Sequence, residues 1–162
     1  IDTTVKGANA NSYVDRAEAD AYFDDRLNSA AWTGASNDDK DRALLMATKR
    51  LDEEDYDAVP TTTTQALKWP RAGAVDGDGD SIDQDTIPQL IKLAVFETAI
   101  WMLGEDRQAD TGLEGFASLT AGPVSVTPRH ARKAGVLPRV VKRILRPVQT
   151  SVSRRSIRMV RA

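Results

Sequence analysis

The sequence predicts a mainly α protein: a small helical bundle with a short β element and an extended basic C-terminal arm. Three observations carry this. The run QLIKLAVFETAIWML (89–103) is apolar on nearly every side of a helix, and such a helix is buried on all sides. Two earlier stretches open with N-capping signatures. Charge is also segregated. Residues 1–114 hold all 24 acidic residues and 11 of the 22 Lys and Arg, thirteen more negative than positive side chains. Residues 115–162 hold the other 11 cations and no carboxylate. This divides the 162 residues into a body, 1–121, and an arm, 122–162.

In chain order, Ser12-Tyr13-Val14 is a short extended lead-in. Asp15 is an N-cap with Glu18 completing a capping box, which starts a helix over 16–28. Ala17, Ala21 and Leu27 are expected on its buried side, with Tyr22 and Phe23 adding bulk. Asn28-Ser29 and Thr33-Gly34 read as stop and loop. A second helix follows Ser36, has Asp39 at the box position and runs to Glu54. Leu44, Ala47, Thr48 and Leu51 form its i, i+3, i+4, i+7 stripe. Asp38, Asp39 and Asp41 suit the positive end of its dipole.

Residues 57–64 (DAVPTTTT) are a loop, since β-branching disfavours helix in the Thr run. QALKWP (65–70) is a turn or short helix that stops before Pro70, with Trp69 as a core anchor. Pro88 opens the third helix, where a missing N–H costs nothing, and Gly104 ends it. GPVSVTP (122–128) alternates like a short strand. A last helix fits RVVKRIL (139–145), between Pro138 and Pro147. Val140, Val141, Ile144 and Leu145 form its apolar edge; Arg139, Lys142, Arg143 and Arg146 form the other.

Composition excludes several functions. With no cysteine there is neither a disulfide framework nor a thiolate metal site, and a lone histidine, His130, excludes histidine-rich metal sites. The opening IDTTVKGANAN is polar and does not read as a secretory signal. No apolar run approaches the roughly 20 residues of a membrane span. A hydrolytic triad has only His130 to use, within TPRHARK, and no nucleophile elbow accompanies it. No glycine-rich phosphate loop is present. No cofactor and no catalytic residue is expected.

Two binding chemistries need weighing. Asp76, Asp78 and Asp80 occupy positions one, three and five of a calcium-type loop. The rest of the pattern fails: Ser81 stands for the turn glycine, Asp83 for the aliphatic and Ile87 for the bidentate glutamate. An acidic turn before a helix explains the segment better. The arm's cations, which include Arg154, Arg155, Arg158 and Arg161, suit phosphate contacts of steep salt dependence. However, residues 117–162 contain no Phe, Tyr or Trp, whereas single-strand binders interleave stacking rings with charge. The interspersed Val, Ile, Leu and Met suit protein contacts.

Several segments together resemble a known family: ANSYVDRAEADAYFDDRL (10–27), ALLMATKRLDE (43–53), QALKWPRAG (65–73), IDQDTIPQLIKLAVFETA (82–99), GPVSV (122–126) and MVRA (159–162). They are similar, in order and spacing, to the head-to-tail connectors (adaptors) of tailed bacteriophages, often labelled DnaT-like single-stranded-DNA-binding proteins. The arm here is unusually rich in Arg for that group. The resemblance implies a helical bundle with a β element that is assembled in the host cytoplasm and forms a ring, a dodecamer, below the portal protein at the head–tail interface of the virion. Such a ring extends the channel for passing double-stranded DNA and offers a platform to a stopper or tail-completion protein. On that reading Val140, Val141, Ile144 and Leu145 anchor the portal or a neighbouring copy, and the Arg and Lys residues orient the contact. The alternatives are a DnaT-like single-stranded-DNA-binding accessory protein and a calcium-dependent module.

Overall fold

The structure, a computed structural model, describes residues 1–104, 119–121, 124–126 and 137–149. Among these the order is α1 (Arg16–Asp24), α2 (Ala30–Thr33), α3 (Asn37–Asp52), β1 (Val59–Pro60), β2 (Arg71–Ala72), α4 (Gln89–Gly104), β3 (Leu119–Ala121), β4 (Val124–Val126) and α5 (Arg139–Leu145). The fold is mainly helical, as predicted, with two small antiparallel ribbons.

The capping box of α1 is complete. The Asp15 carboxylate accepts the Glu18 N–H at 2.8 Å, and the Glu18 carboxylate accepts the Asp15 N–H at 3.4 Å. The helix ends at Asp24, a turn before its expected limit. Its buried face also differs from the expected one. Ala19 and Phe23 are buried and Tyr22 half-buried, whereas Ala17, Ala21 and Leu27 are exposed. Aromatic volume decides this: rings of roughly 150–250 Å² outweigh methyl groups when one side must turn inward. Phe23 stacks on Trp32 at 4.6 Å, and Tyr22 on Phe96 at 4.8 Å. Trp32 sits on α2, a single turn where a loop was expected. Its indole donates to Asp20 at 2.8 Å.

In α3 the Ser36 hydroxyl accepts the Asp39 N–H at 3.2 Å. Asp39 bonds the Ser36 hydroxyl rather than its backbone, so only half a box forms. Leu44, Ala47, Thr48 and Leu51 are buried as their spacing requires, joined by Ala43. Residues 65–70 form no helix. The Lys68 and Trp69 N–H groups bond the Asp52 carboxylate (3.1 Å) and the Tyr13 hydroxyl (3.2 Å) instead. The Trp69–Pro70 peptide is cis. Trp69 is buried, edge-on to Tyr56. Its chain continues into β2, which pairs Val59 with Ala72 and Pro60 with Arg71.

No residue of α4 from 90 to 103 is exposed. α3 supplies its largest packing partner and α5 the next. The expected strand at 122–128 contains β4, paired with an unanticipated β3 in the register Leu119↔Val126. α5 has the expected limits. Val141 and Leu145 are fully buried, with Leu137 and Val148 beside them. The Asp57 N–H bonds the Val148 carbonyl at 3.0 Å, and Gln149 bridges Tyr56. Residues 137–149, which the sequence places in the extended arm, are therefore a wall of the bundle.

Truncating that wall should cost core energy. Leu145→Ala is expected to destabilise by roughly 2–5 kcal/mol, while Arg143→Ala stays within about 0.5 kcal/mol. Urea unfolding of the two variants against the parent measures the difference.

Candidate assembly and nucleic-acid interface

α5 carries the chain's described basic surface. Arg139, Arg143 and Arg146 follow i, i+4, i+7 spacing, which puts them on one side of a helix, and Lys142 lies next to Arg143. All four are exposed. No ion pair joins them to another described residue. Val140 and Ile144 are half-buried along the margin. Val141 and Leu145, expected as anchors for a partner, are consumed by the chain's own core; only Val140 and Ile144 keep apolar surface to offer. Arg154, Arg155, Arg158 and Arg161 lie outside the described residues, as does His130.

α1 presents the opposite character. Ala17, Ala21 and Asp24, again at i, i+4, i+7, are exposed, followed by Asp25 and by Leu27 at 86% exposure. The pattern of apolar residues marked Ala17, Ala21 and Leu27 as buried; the folded chain leaves all three to solvent. Among the helices, α1 packs mainly on α3 and α5 on α4.

Ionic cross-links tie α1 to α4. Glu97 interrupts the apolar α4 and is buried. Arg26 grips it with both prongs, Nε to Oε1 at 2.7 Å and Nη2 to Oε2 at 2.9 Å, and the Tyr22 hydroxyl donates to Oε1 at 2.7 Å. Burial pushes the Glu97 carboxyl up, but these donors outweigh it and hold the group below the ordinary range. Tyr22 is pushed up to about 12, by burial and then by Glu97. Lys92 pairs with Glu18 at 2.5 Å nearby. Sequence reading missed this network; the one visible signal was a carboxylate inside an apolar run.

A second clamp lies at β2. The buried Arg71 donates to the carbonyls of Asp57 (2.7 Å), Ala58 (2.5 Å) and Lys68 (3.3 Å). It holds Ala58 at φ 67°, a left-handed conformation an L-residue resists. These are structural roles. A cavity of about 250 Å³ is lined by Asp57, Ala58, Gly73, Ala74, Val75 and Val148; among these described residues Asp57 is the one titratable side chain, and they hold no acid–base pair.

The acidic loop is a turn. Asp76 Oδ1 accepts the N–H groups of Asp78 (2.9 Å) and Asp80 (3.0 Å), Gly79 takes φ 93°, and Val75 bridges Ser81. Among the described residues no three carboxylate or imidazole groups converge as a metal site would require. Asp76, Asp78 and Asp80 are therefore a backbone-bonded turn. Among the described residues no stacking platform is exposed either, since every aromatic side chain there is buried or half-buried. No helix among the described residues is long and apolar enough to cross a membrane.

Residues 1–162 match the model of a family described as "Putative DnaT-like ssDNA binding protein". The chain belongs to this family. Its description specifies binding to single-stranded DNA and no reaction. No curated protein and no solved structure is detectably similar to the chain.

Two outcomes follow for this region. Calorimetric titration with calcium should give no heat of binding. For Glu97, a carboxyl whose folded value is depressed stabilises above the ordinary carboxylate range, near 4.3, and loses that contribution as pH falls through its folded value. Glu97→Gln should therefore lower unfolding free energy at pH 7, and the gap to the parent should close as pH falls through the folded value of the carboxyl. Urea midpoints across that range check it.

Proposed function

We propose that this chain is a non-enzymatic structural subunit of a tailed-phage head-to-tail connector, one copy in a ring below the portal. The observation that carries the reading is the rigid separation of surfaces. A basic face is fixed on α5 by buried Val141 and Leu145, on a body whose described surface exposes many carboxylates. Such faces suit contacts between copies and with a portal. A carboxylate-rich channel wall lets duplex DNA pass without adhering, because like charges repel. The segment-by-segment resemblance to connectors supports the same reading, and a stopper or tail-completion protein is its further partner.

Binding of single-stranded DNA is the second reading, and the family's description favours it. The surface speaks against a stacking mode: exposed rings are lacking among the described residues, and base–aromatic stacking contributes about 1–3 kcal/mol per base. Cations alone leave a phosphate-dominated contact.

Negative-stain imaging of the purified chain and oligonucleotide titration at two salt concentrations separate the two. The connector reading expects rings, and weak oligonucleotide binding at physiological salt. A monomer that binds single strands tightly, with affinity falling steeply as salt rises, establishes the second reading and removes the first.

A further inference from the structure

We infer that the exposed face of α1 is the docking site for the outer face of α5 from a second copy of this chain. The inference rests on the ring reading and specifies the contact that would close it. Ala17 and Ala21 give α1 a flat, small-residue strip in solvent, continued by Asp24 and Asp25 and bordered by Leu27. Small side chains let another helix approach closely, and exposed Leu27 has no partner in its own chain's core. The α5 face offers the complement. Val140 and Ile144 keep part of their apolar surface uncovered, and Arg139, Arg143 and Arg146 flank them. Asp24 and Asp25 take part in no ion pair with a described residue, and neither do these arginines. Each face is thus half of an apolar contact with charges of one sign left over.

Placement decides that the partner is another copy. The two faces belong to helices seated at different places on the central α3–α4 pair: α1 lies mainly on α3, with Tyr22 reaching Phe96 of α4, and α5 lies on α4. One copy's α5 cannot fold across to its own α1, because Val141 and Leu145 hold it on the bundle. Two different patches on one rigid body make a head-to-tail contact, and repetition of that contact closes into a ring when the rotation permits. Self-complementary pairing of α5 with α5 would set arginine against arginine, and α1 with α1 aspartate against aspartate.

The test uses the full chain and its freedom from cysteine. Two charge reversals are made singly and together: Asp24→Arg with Asp25→Arg, and Arg143→Glu with Arg146→Glu. Native mass spectrometry reads the assembly. Each reversal alone should weaken assembly at least about tenfold, as like charges across an interface do, and the combination should recover most of it. Circular dichroism checks that all variants stay folded, which their exposure predicts. Independently, Ala21→Cys and Arg143→Cys are placed on separate chains. Oxidation of the mixture should give disulfide dimers containing one of each, and the doubly substituted chain a ladder of covalent oligomers. Rings that persist unchanged through both single reversals, or heterodimers no more frequent than random pairing, overturn this interface while the ring reading stands. A parent chain that is monomeric at every concentration overturns both. Loss of DNA binding in the α5 reversal with assembly intact assigns the arginines to phosphate contacts and overturns the interface.

Discussion

The need to cover α4 on every side organises this molecule. A helix whose residues 90 to 103 all avoid full exposure cannot be satisfied by one neighbour, since a partner helix covers only about one stripe of its circumference. α3 covers one side. α1 brings Tyr22 and Phe23 to another, and α5 closes a further one with Val141 and Leu145. The consequence reaches function directly. Because α5 is recruited as core, its arginines are held in a fixed direction, and the basic surface becomes a feature of the fold.

Charged groups inside this apolar centre work as locks. Glu97 alone would be an expensive buried anion; gripped by Arg26 and Tyr22 it fixes how α1 lies along α4. A displaced α1 would leave that carboxylate without donors, at a cost of about 1–3 kcal/mol or more. Asp52 works in the other direction. Burial raises its carboxyl above the ordinary value despite the bonds from Tyr13 and Lys68, so its contribution is fully present only in acid and is lost as pH rises through its folded value. The two carboxyls thus have opposite dependences on pH, and Asp52 is retained as the acceptor that shapes the turn before Pro70.

Where local chemistry alone decides, the sequence is legible. Ser36, Asp15 and Glu18 announce helix starts because a cap satisfies orphan N–H groups within one turn, and the Leu44–Ala47–Thr48–Leu51 stripe maps directly onto burial. α4 and α5 have the limits their prolines and apolar runs imply. Legibility fails where the deciding partner is distant in sequence. Ala17 and Ala21 have the right spacing to be buried, yet Phe96 and Trp32, far along the chain, draw the aromatic side of α1 inward. Likewise the residues before Pro70 lose their helical option to Asp52 and Tyr13. At the candidate interface, the four cations of α5 were readable as one edge. That Val141 and Leu145 belong to the core was not, because an apolar edge looks the same whether it faces its own bundle or a neighbour's.

That ambiguity bears on the choice between a tethered arm and a fixed face. A segment that orders only on binding loses conformational entropy at that moment, and its net affinity per unit of interface is lower. Residues 137–149 have already met that cost in folding, through Val141, Leu145, Val148 and the Tyr56 bridge. Contacts made by the outer side of α5 therefore begin from a preorganised geometry. A rigid face fixes the angle between bound neighbours, and a closed ring requires a repeated angle; loose phosphate capture does not. The exposure of Arg139, Arg143 and Arg146 on a helix pinned from behind is thus a stronger argument for assembly than their charge.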